Sequence, residues 1–223
     1  MKKKSIVNYV NCDSRGKFRA EEIAIVIPSD SLLIPEITKK LSEKLENKSM
    51  LNIFKTSSGI KGLFRWTHRK YSLGGACNIE ISGSEVLPYA VIEISPLDFV
   101  SFLNDSLNGN HFEALSVTIK KYMEDMITLE KCPNNTRLSI LIIGFERYQS
   151  SYSKNNNICS HNHGLHISQL YDNAIAFLLC EHSVEVVSLK STSDAADYLH
   201  GITRCLMNEP YRNLDDEIDC ISR

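Results

Sequence analysis

Apolar and polar positions alternate along this chain in a way that divides it into short strands and amphipathic helices. EEIAIVIP (21–28) is an apolar run stopped by Pro28 and predicts a strand. Behind a Ser/Asp cap, SDSLLIPEITKKLSEKLEN then sets Ile34, Ile37, Leu41 and Leu45 at helical spacing, which predicts a helix. From Leu51 to Ile94 the period shortens to runs broken at Gly59, Gly74-Gly75 and Gly83. NIFKT, GLFRWTHRKY, CNIEI and PYAVIEI predict four strands in succession, an antiparallel or mixed stretch of sheet.

Pro96 suits the first turn of a helix striped by Phe99, Val100, Leu103 and Leu107. After a break at Asn108-Gly109-Asn110, a second helix carries Phe112, Leu115, Ile119, Tyr122, Met123, Met126 and Ile127 on one face. LSILIIGF (138–145) is apolar on both faces, as in a central strand covered on each side. The Asn- and Ser-rich QSSYSKNNNICSHNHG reads as a polar loop. Ile167, Leu170, Tyr171, Ala174, Ile175, Leu178 and Leu179 then keep strict helical spacing. VEVVSL (184–189) predicts a strand, and Thr192 or Ser193 caps a last helix lined by Ala195, Leu199, Ile202 and Leu206 and ended by Pro210. These elements add up to one α/β domain around a mixed sheet, without internal repeats.

Composition narrows the function classes. With 25 Lys plus Arg against 27 Asp plus Glu, the net charge of −2 excludes polyanion binding by bulk charge, so any nucleic-acid contact must come from a local patch. Seven cysteines, at positions 12, 77, 132, 159, 180, 205 and 220, include no C-x-x-C pair and fit reduced thiols in an intracellular compartment. No window approaches the ~20 apolar residues of a membrane span, and residues 1–20 read as a flexible arm, not a signal peptide.

Three constellations carry candidate chemistry. RLSILIIGFER (137–147) delivers Glu146 and Arg147 to the end of a buried strand, where a carboxylate could help to hold a metal ion. Arg65, Trp66, His68, Arg69 and Lys70 set an aromatic among bases on one strand, a combination that can contact a DNA backbone or stack on an unpaired base. Strand alternation puts Arg65 and Arg69 on one side and Trp66, His68 and Lys70 on the other; in the alternative reading Trp66 fills the core and the charges edge the sheet. Cys159, His161, His163 and His166 offer zinc-type ligands, but they crowd one loop where structural zinc sites bring two separated pairs together, so a polar loop with chance histidines is the simpler account.

The order of elements, with YAVIEISPLDFVSFL, RLSILIIGFERY and VEVVSLKSTSDAADYLHGITRCLMNEPYR, resembles the nuclease-like domain of the essential meiotic endonuclease subunits. These are the non-catalytic partners of MUS-type crossover-junction endonucleases in the XPF nuclease superfamily. The resemblance spans roughly 21–213 and includes a Trp followed by bases in GLFRWTHRK, a polar insert before the 167–179 helix, and the NEPYR exit. It implies a three-layer nuclease-like fold of the restriction-endonuclease/XPF type, with a central mixed sheet flanked by helices. It also implies a tail at 214–223 in place of the helix-hairpin-helix domain that follows in longer members.

The superfamily's working site follows a strand with Glu-Arg-Lys, three residues and Asp, holding Mg²⁺ or Mn²⁺. Two registers are open here. With 138–145 as the motif strand, Glu146 and Arg147 remain but Tyr148 and Tyr152 stand at the Lys and Asp positions. With YAVIEI (89–94), the triplet becomes Pro96-Leu97-Asp98 and the later Asp falls on Phe102. Neither is complete. The resemblance therefore implies a nuclear pseudonuclease without cofactor on this chain. It would be paired as a heterodimer with a catalytic MUS-type subunit that carries Mg or Mn, and the complex would act on 3′ flaps, forks and nicked Holliday junctions. A non-nuclease junction-binding or structural module of the same superfamily is the alternative expectation.

Overall fold

The computed structural model describes residues 23–28, 35, 39, 52–56, 59–73, 79–106, 112–155 and 167–221, with side chains described in part of these segments. The expected arm at 1–20 and the Cys159 to His166 loop lie outside the described residues, as does the helix expected after Pro28, apart from Pro35 and Lys39, which are both helical.

The elements run β1 (Ile23–Pro28), β2 (Asn52–Thr56), β3 (Leu63–Leu73), β4 (Ile79–Glu93), α1 (Pro96–Ser106), α2 (Glu113–Thr128), β5 (Arg137–Ile143), α3 (Phe145–Asn155), α4 (Ile167–His182), β6 (Glu185–Leu189) and α5 (Thr192–Ile221). The strands form one six-stranded sheet in the order β2-β1-β3-β4-β5-β6. β3 pairs antiparallel with β1 and β4, while β1–β2, β4–β5 and β5–β6 are parallel. The sheet is therefore mixed. Between β4 and β5 and between β5 and β6, helices supply the crossovers that parallel pairing requires.

Alternation sorts the sheet's side chains onto two covered faces. Ala90, Ile92, Leu138, Ile140 and Ile142 pack with Phe99, Leu103, Leu115, Ile119, Phe145, Ala174 and Leu178 from α1 to α4. On the opposite face Ile23, Ile25, Ile27, Phe64, Trp66, Val91 and Leu141 meet Ala195, Ala196, Leu199 and Leu206 of α5. This is the expected three-layer α/β architecture with a central mixed sheet. Each fully buried Leu, Ile or Phe side chain contributes roughly 1.5–3 kcal/mol, so both interfaces count.

Five expectations need correction. CNIEI and PYAVIEI are one strand, β4, 15 residues long. The expected Gly83 break, and Pro88 beyond it, coincide with register shifts against β3, between Lys70 and Tyr71 and between Arg65 and Thr67. A bulge tolerates a glycine and the missing proline N–H without ending the strand. The 138–145 strand stops at Ile143, and the segment read as a polar loop begins as helix α3. Gly144, at φ 80°, makes the turn and donates its N–H to the Leu189 carbonyl at 2.7 Å. That left-handed conformation favours glycine, and it ends the strand two residues early.

The last helix does not stop at Pro210 but continues to Ile221, so the expected tail at 214–223 is helical over most of its length. A proline removes one bond of the ladder and need not end a helix whose flanking turns hold. The cap of that helix is Ser191, not Thr192 or Ser193. Among the described residues, no helix is long and apolar enough to cross a membrane.

Candidate functional site

β4, β5 and β6 run parallel, and each is followed at its C-terminal end by a helix: α1, α3 and α5. In open α/β sheets this edge is where ligands and catalytic groups collect, because helix N-termini converge there. Both sequence registers lead to this edge: Asp98 follows β4 and Glu146-Arg147 follows β5. Lys190, Ser191 and Asp194, which follow β6, join them, and sequence reasoning missed these three. The available signal was a shared Ser-x-x-Asp after a strand, Ser95-Pro96-Leu97-Asp98 and Ser191-Thr192-Ser193-Asp194.

Those two tetrads explain what the aspartates do. The Asp98 N–H donates to Ser95 Oγ at 3.1 Å while the Ser95 hydroxyl donates to Asp98 Oδ2 at 2.7 Å. The Asp194 N–H donates to Ser191 Oγ at 3.2 Å, and the Ser191 hydroxyl to Asp194 Oδ2 at 2.9 Å. In each case the serine satisfies an orphan N–H of the first turn and the acid sits on the positive end of the helix dipole. Both carboxylates are engaged by the serines that cap their helices.

Glu146 and Arg147 lie in the first turn of α3, not at a strand end. Glu146 stands 71% exposed and meets Lys190, itself 79% exposed, at 3.7 Å. An ion pair so open to water is worth little. Tyr148, at the Lys position of the superfamily pattern, packs instead against the core under α1 to α4. Phe102, at the Asp position of the other register, does the same. Leu97 is exposed.

These residues do not fit a divalent-metal centre. Mg²⁺ needs near-octahedral oxygen ligands, and an acid already bonded to its own capping serine offers few of them. Among the described residues no group of three or more His, Cys, Asp or Glu side chains could hold a metal ion.

Two residues of the basic strand, Arg65 and Trp66, are engaged within the fold. Trp66 is fully buried and offers no ring face for stacking. Its indole N–H donates to Thr203 Oγ1 of α5 at 2.9 Å, and its ring meets Tyr89 edge-on at 5.9 Å. His68 is buried beside it on the same side of β3. Arg65, on the other side, pairs with buried Glu130: Nη2 to Oε2 is 2.9 Å. The second carboxylate oxygen of Glu130 accepts the Gly59 N–H at 3.0 Å. Arg65 is thus held by the fold. Arg69 and Lys70 lie on β3 beyond the last residue that β1 pairs, and their side chains are outside the described residues.

A second polar group lies between the sheet and α5. The Tyr89 and Ser139 hydroxyls are 3.0 Å apart, and Ser139 Oγ donates to Glu185 Oε2 at 3.4 Å. Burial, ahead of any neighbouring charge, pushes the nearby Tyr198 phenol well above the usual tyrosine range. The Tyr198 phenol therefore stays protonated at any ordinary pH.

No protein-family model matches the chain, and no curated protein does. Solved structures are similar: XPF from Aeropyrum pernix in complex with DNA, at 12% identity and a TM-score of 0.41, covers 82% of this chain and 64% of that one. A second structure of XPF from Aeropyrum pernix, at 13% identity and a TM-score of 0.37, covers 88% and 69%. The chain thus spans about two thirds of the length of these structures.

Proposed function

We propose that this chain is a nuclease-fold subunit that does not cut DNA itself and that pairs with a catalytic chain acting on branched DNA. The observation that carries this reading is the fate of the carboxylates at the C-terminal edge of β4, β5 and β6: Asp98 and Asp194 are bonded to the serines that cap their helices, and Glu146 is in an open surface ion pair. The sequence resemblance to the non-catalytic endonuclease subunits supplies the rest: a heterodimer with a MUS-type subunit, 3′ flaps, forks and nicked Holliday junctions as substrates, and a nuclear setting. Magnesium or manganese would sit in the partner. No chemical step is assigned to this chain's own residues, whose contribution is to stabilise the catalytic subunit and orient the DNA.

The test is a cleavage assay with Mg²⁺ or Mn²⁺ on a branched duplex, comparing the isolated chain, the reconstituted pair, and the pair carrying Glu146→Ala. No cutting by the isolated chain and unchanged cutting by the Glu146→Ala pair are expected. Cleavage by the isolated chain that disappears with Glu146→Ala would overturn the reading. Failure to pair with any chain that carries an intact Glu-Arg-Lys-x-x-x-Asp motif would favour the binding-module alternative.

A further inference from the structure

Ser116 of α2 and His182 of α4 meet where β6 begins, at the edge of the sheet opposite the one that gathers Asp98, Glu146 and Asp194. Ser116 Oγ and His182 Nε2 are 3.0 Å apart, and both side chains are half-buried. The Phe177 ring meets the imidazole at 5.5 Å in a T-shaped contact and lies 5.3 Å from the Phe112 ring. Aromatic packing therefore orients the histidine.

The Ser116 hydroxyl is placed unlike others in this protein. Thr118, Thr128, Ser150, Ser151 and Thr203 each donate to the carbonyl four residues back in their own helix, a bond that commits the hydroxyl to local structure. Ser116 reaches across to the histidine instead. The turn before it opens α2 at Phe112, which is left-handed at φ 58° and supplies no side-chain cap. In that first turn the N–H groups of Glu113, Ala114 and Leu115 have no carbonyl within the helix to bond. A helical side chain leans towards the N-terminus of its helix, so Ser116 Oγ lies over these donors. Val117, next in the chain, is 60% exposed, and Leu179, one turn before His182, is 57% exposed. Apolar surface thus accompanies the polar pair on both helices.

We propose that Ser116 and His182 are a nucleophile and general base that hydrolyse carboxylic esters with an apolar acyl group. This activity is independent of the nuclease-fold reading and of DNA cleavage, in which the chain takes no chemical step. With the ring proton on Nδ1, His182 Nε2 takes the Ser116 proton as Oγ bonds to the ester carbonyl carbon. The carbonyl oxygen becomes an oxyanion that the first-turn N–H groups of α2 stabilise. Collapse breaks the bond to the alkoxy oxygen, which leaves as the alcohol with the proton from Nε2. Water, giving its proton to Nε2, then attacks the acyl-serine and releases the carboxylic acid, and the proton returns to Ser116 Oγ. The acyl chain would lie on Val117 and Leu179.

The probes are a biotinylated alkyl fluorophosphonate, which bonds irreversibly to an activated serine, and p-nitrophenyl butyrate as a turnover substrate, both used on the full chain. A single adduct mapped to Ser116 by mass spectrometry, together with butyrate hydrolysis, is expected. Both should vanish in Ser116→Ala. Glutamine at position 182 can still hydrogen-bond the serine but cannot take its proton. His182→Gln should therefore leave the urea midpoint in place while slowing adduct formation about a hundredfold. No adduct on the folded wild-type chain, an adduct at another residue, or labelling unaffected by His182→Gln would overturn the proposal and leave the pair as a tie between α2 and α4. None of these outcomes bears on the cleavage assay with the partner, so the two readings fail separately.

Discussion

Arg65 shows how a residue chosen for its charge serves the fold. Its guanidinium holds one oxygen of Glu130 while the Gly59 N–H holds the other, and a 3.4 Å contact from Nη1 to the Glu130 carbonyl completes the clamp. Glu130 is 7% exposed, so removing Arg65 takes the ion pair from a buried carboxylate. Arg65→Ala should therefore cost about 3 kcal/mol in urea unfolding, whereas Arg65→Met with Glu130→Leu should cost much less. Equal losses for the two variants would show that packing, not charge, sets the cost. Strand alternation placed Arg65 and Trp66 on opposite sides of β3 correctly from sequence. It could not reveal their partners, because Glu130 and Thr203 lie 65 and 137 residues away. Gly62 has a similarly remote reason: at φ 72°, a Cβ there would sit 2.6 Å from the Glu93 carbonyl oxygen.

At the scale of elements, capping decides where helices begin. Ser191→Ala removes the acceptor of the Asp194 N–H and should lower stability by about 1 kcal/mol, readable as a shift in the urea midpoint without a change in slope. A loss below 0.3 kcal/mol would mean that α5 is held by Leu199 and Leu206 alone. The same chemistry explains why the site was only half legible. Asp98 was found as a motif relic, but its part in the capping of α1 appears only once Ser95 is seen bonded to it. α3 was hidden because FERYQSSYSKN has no apolar period; Phe145 and Tyr148 anchor its first turn, and Ser150 and Ser151 donate their hydroxyls back to the Glu146 and Arg147 carbonyls. Polar side chains bonded to their own helix leave no hydrophobic signature. The strands and the helices α1, α2 and α4 were legible because their apolar spacing matches the layers that bury them.

On the scale of the whole molecule, the two helical layers share one sheet and should melt together. The chain has a single tryptophan, and Trp66 lies on the α5 side of the sheet, bonded to Thr203, while most helix among the described residues lies in the opposite layer. Tryptophan fluorescence and far-UV circular dichroism should give coincident urea transitions; an earlier fluorescence change would mean that the α5 layer opens as a separate unit. The sheet also has an end. Among the described residues no strand pairs with the outer side of β6, whose ladder groups could template another chain. That strand is only five residues long, starts at Glu185 and is followed by Lys190, so a foreign strand would meet charge at both ends within a few residues. The brevity that makes β6 a modest contributor to the core is what protects the protein from edge-to-edge aggregation.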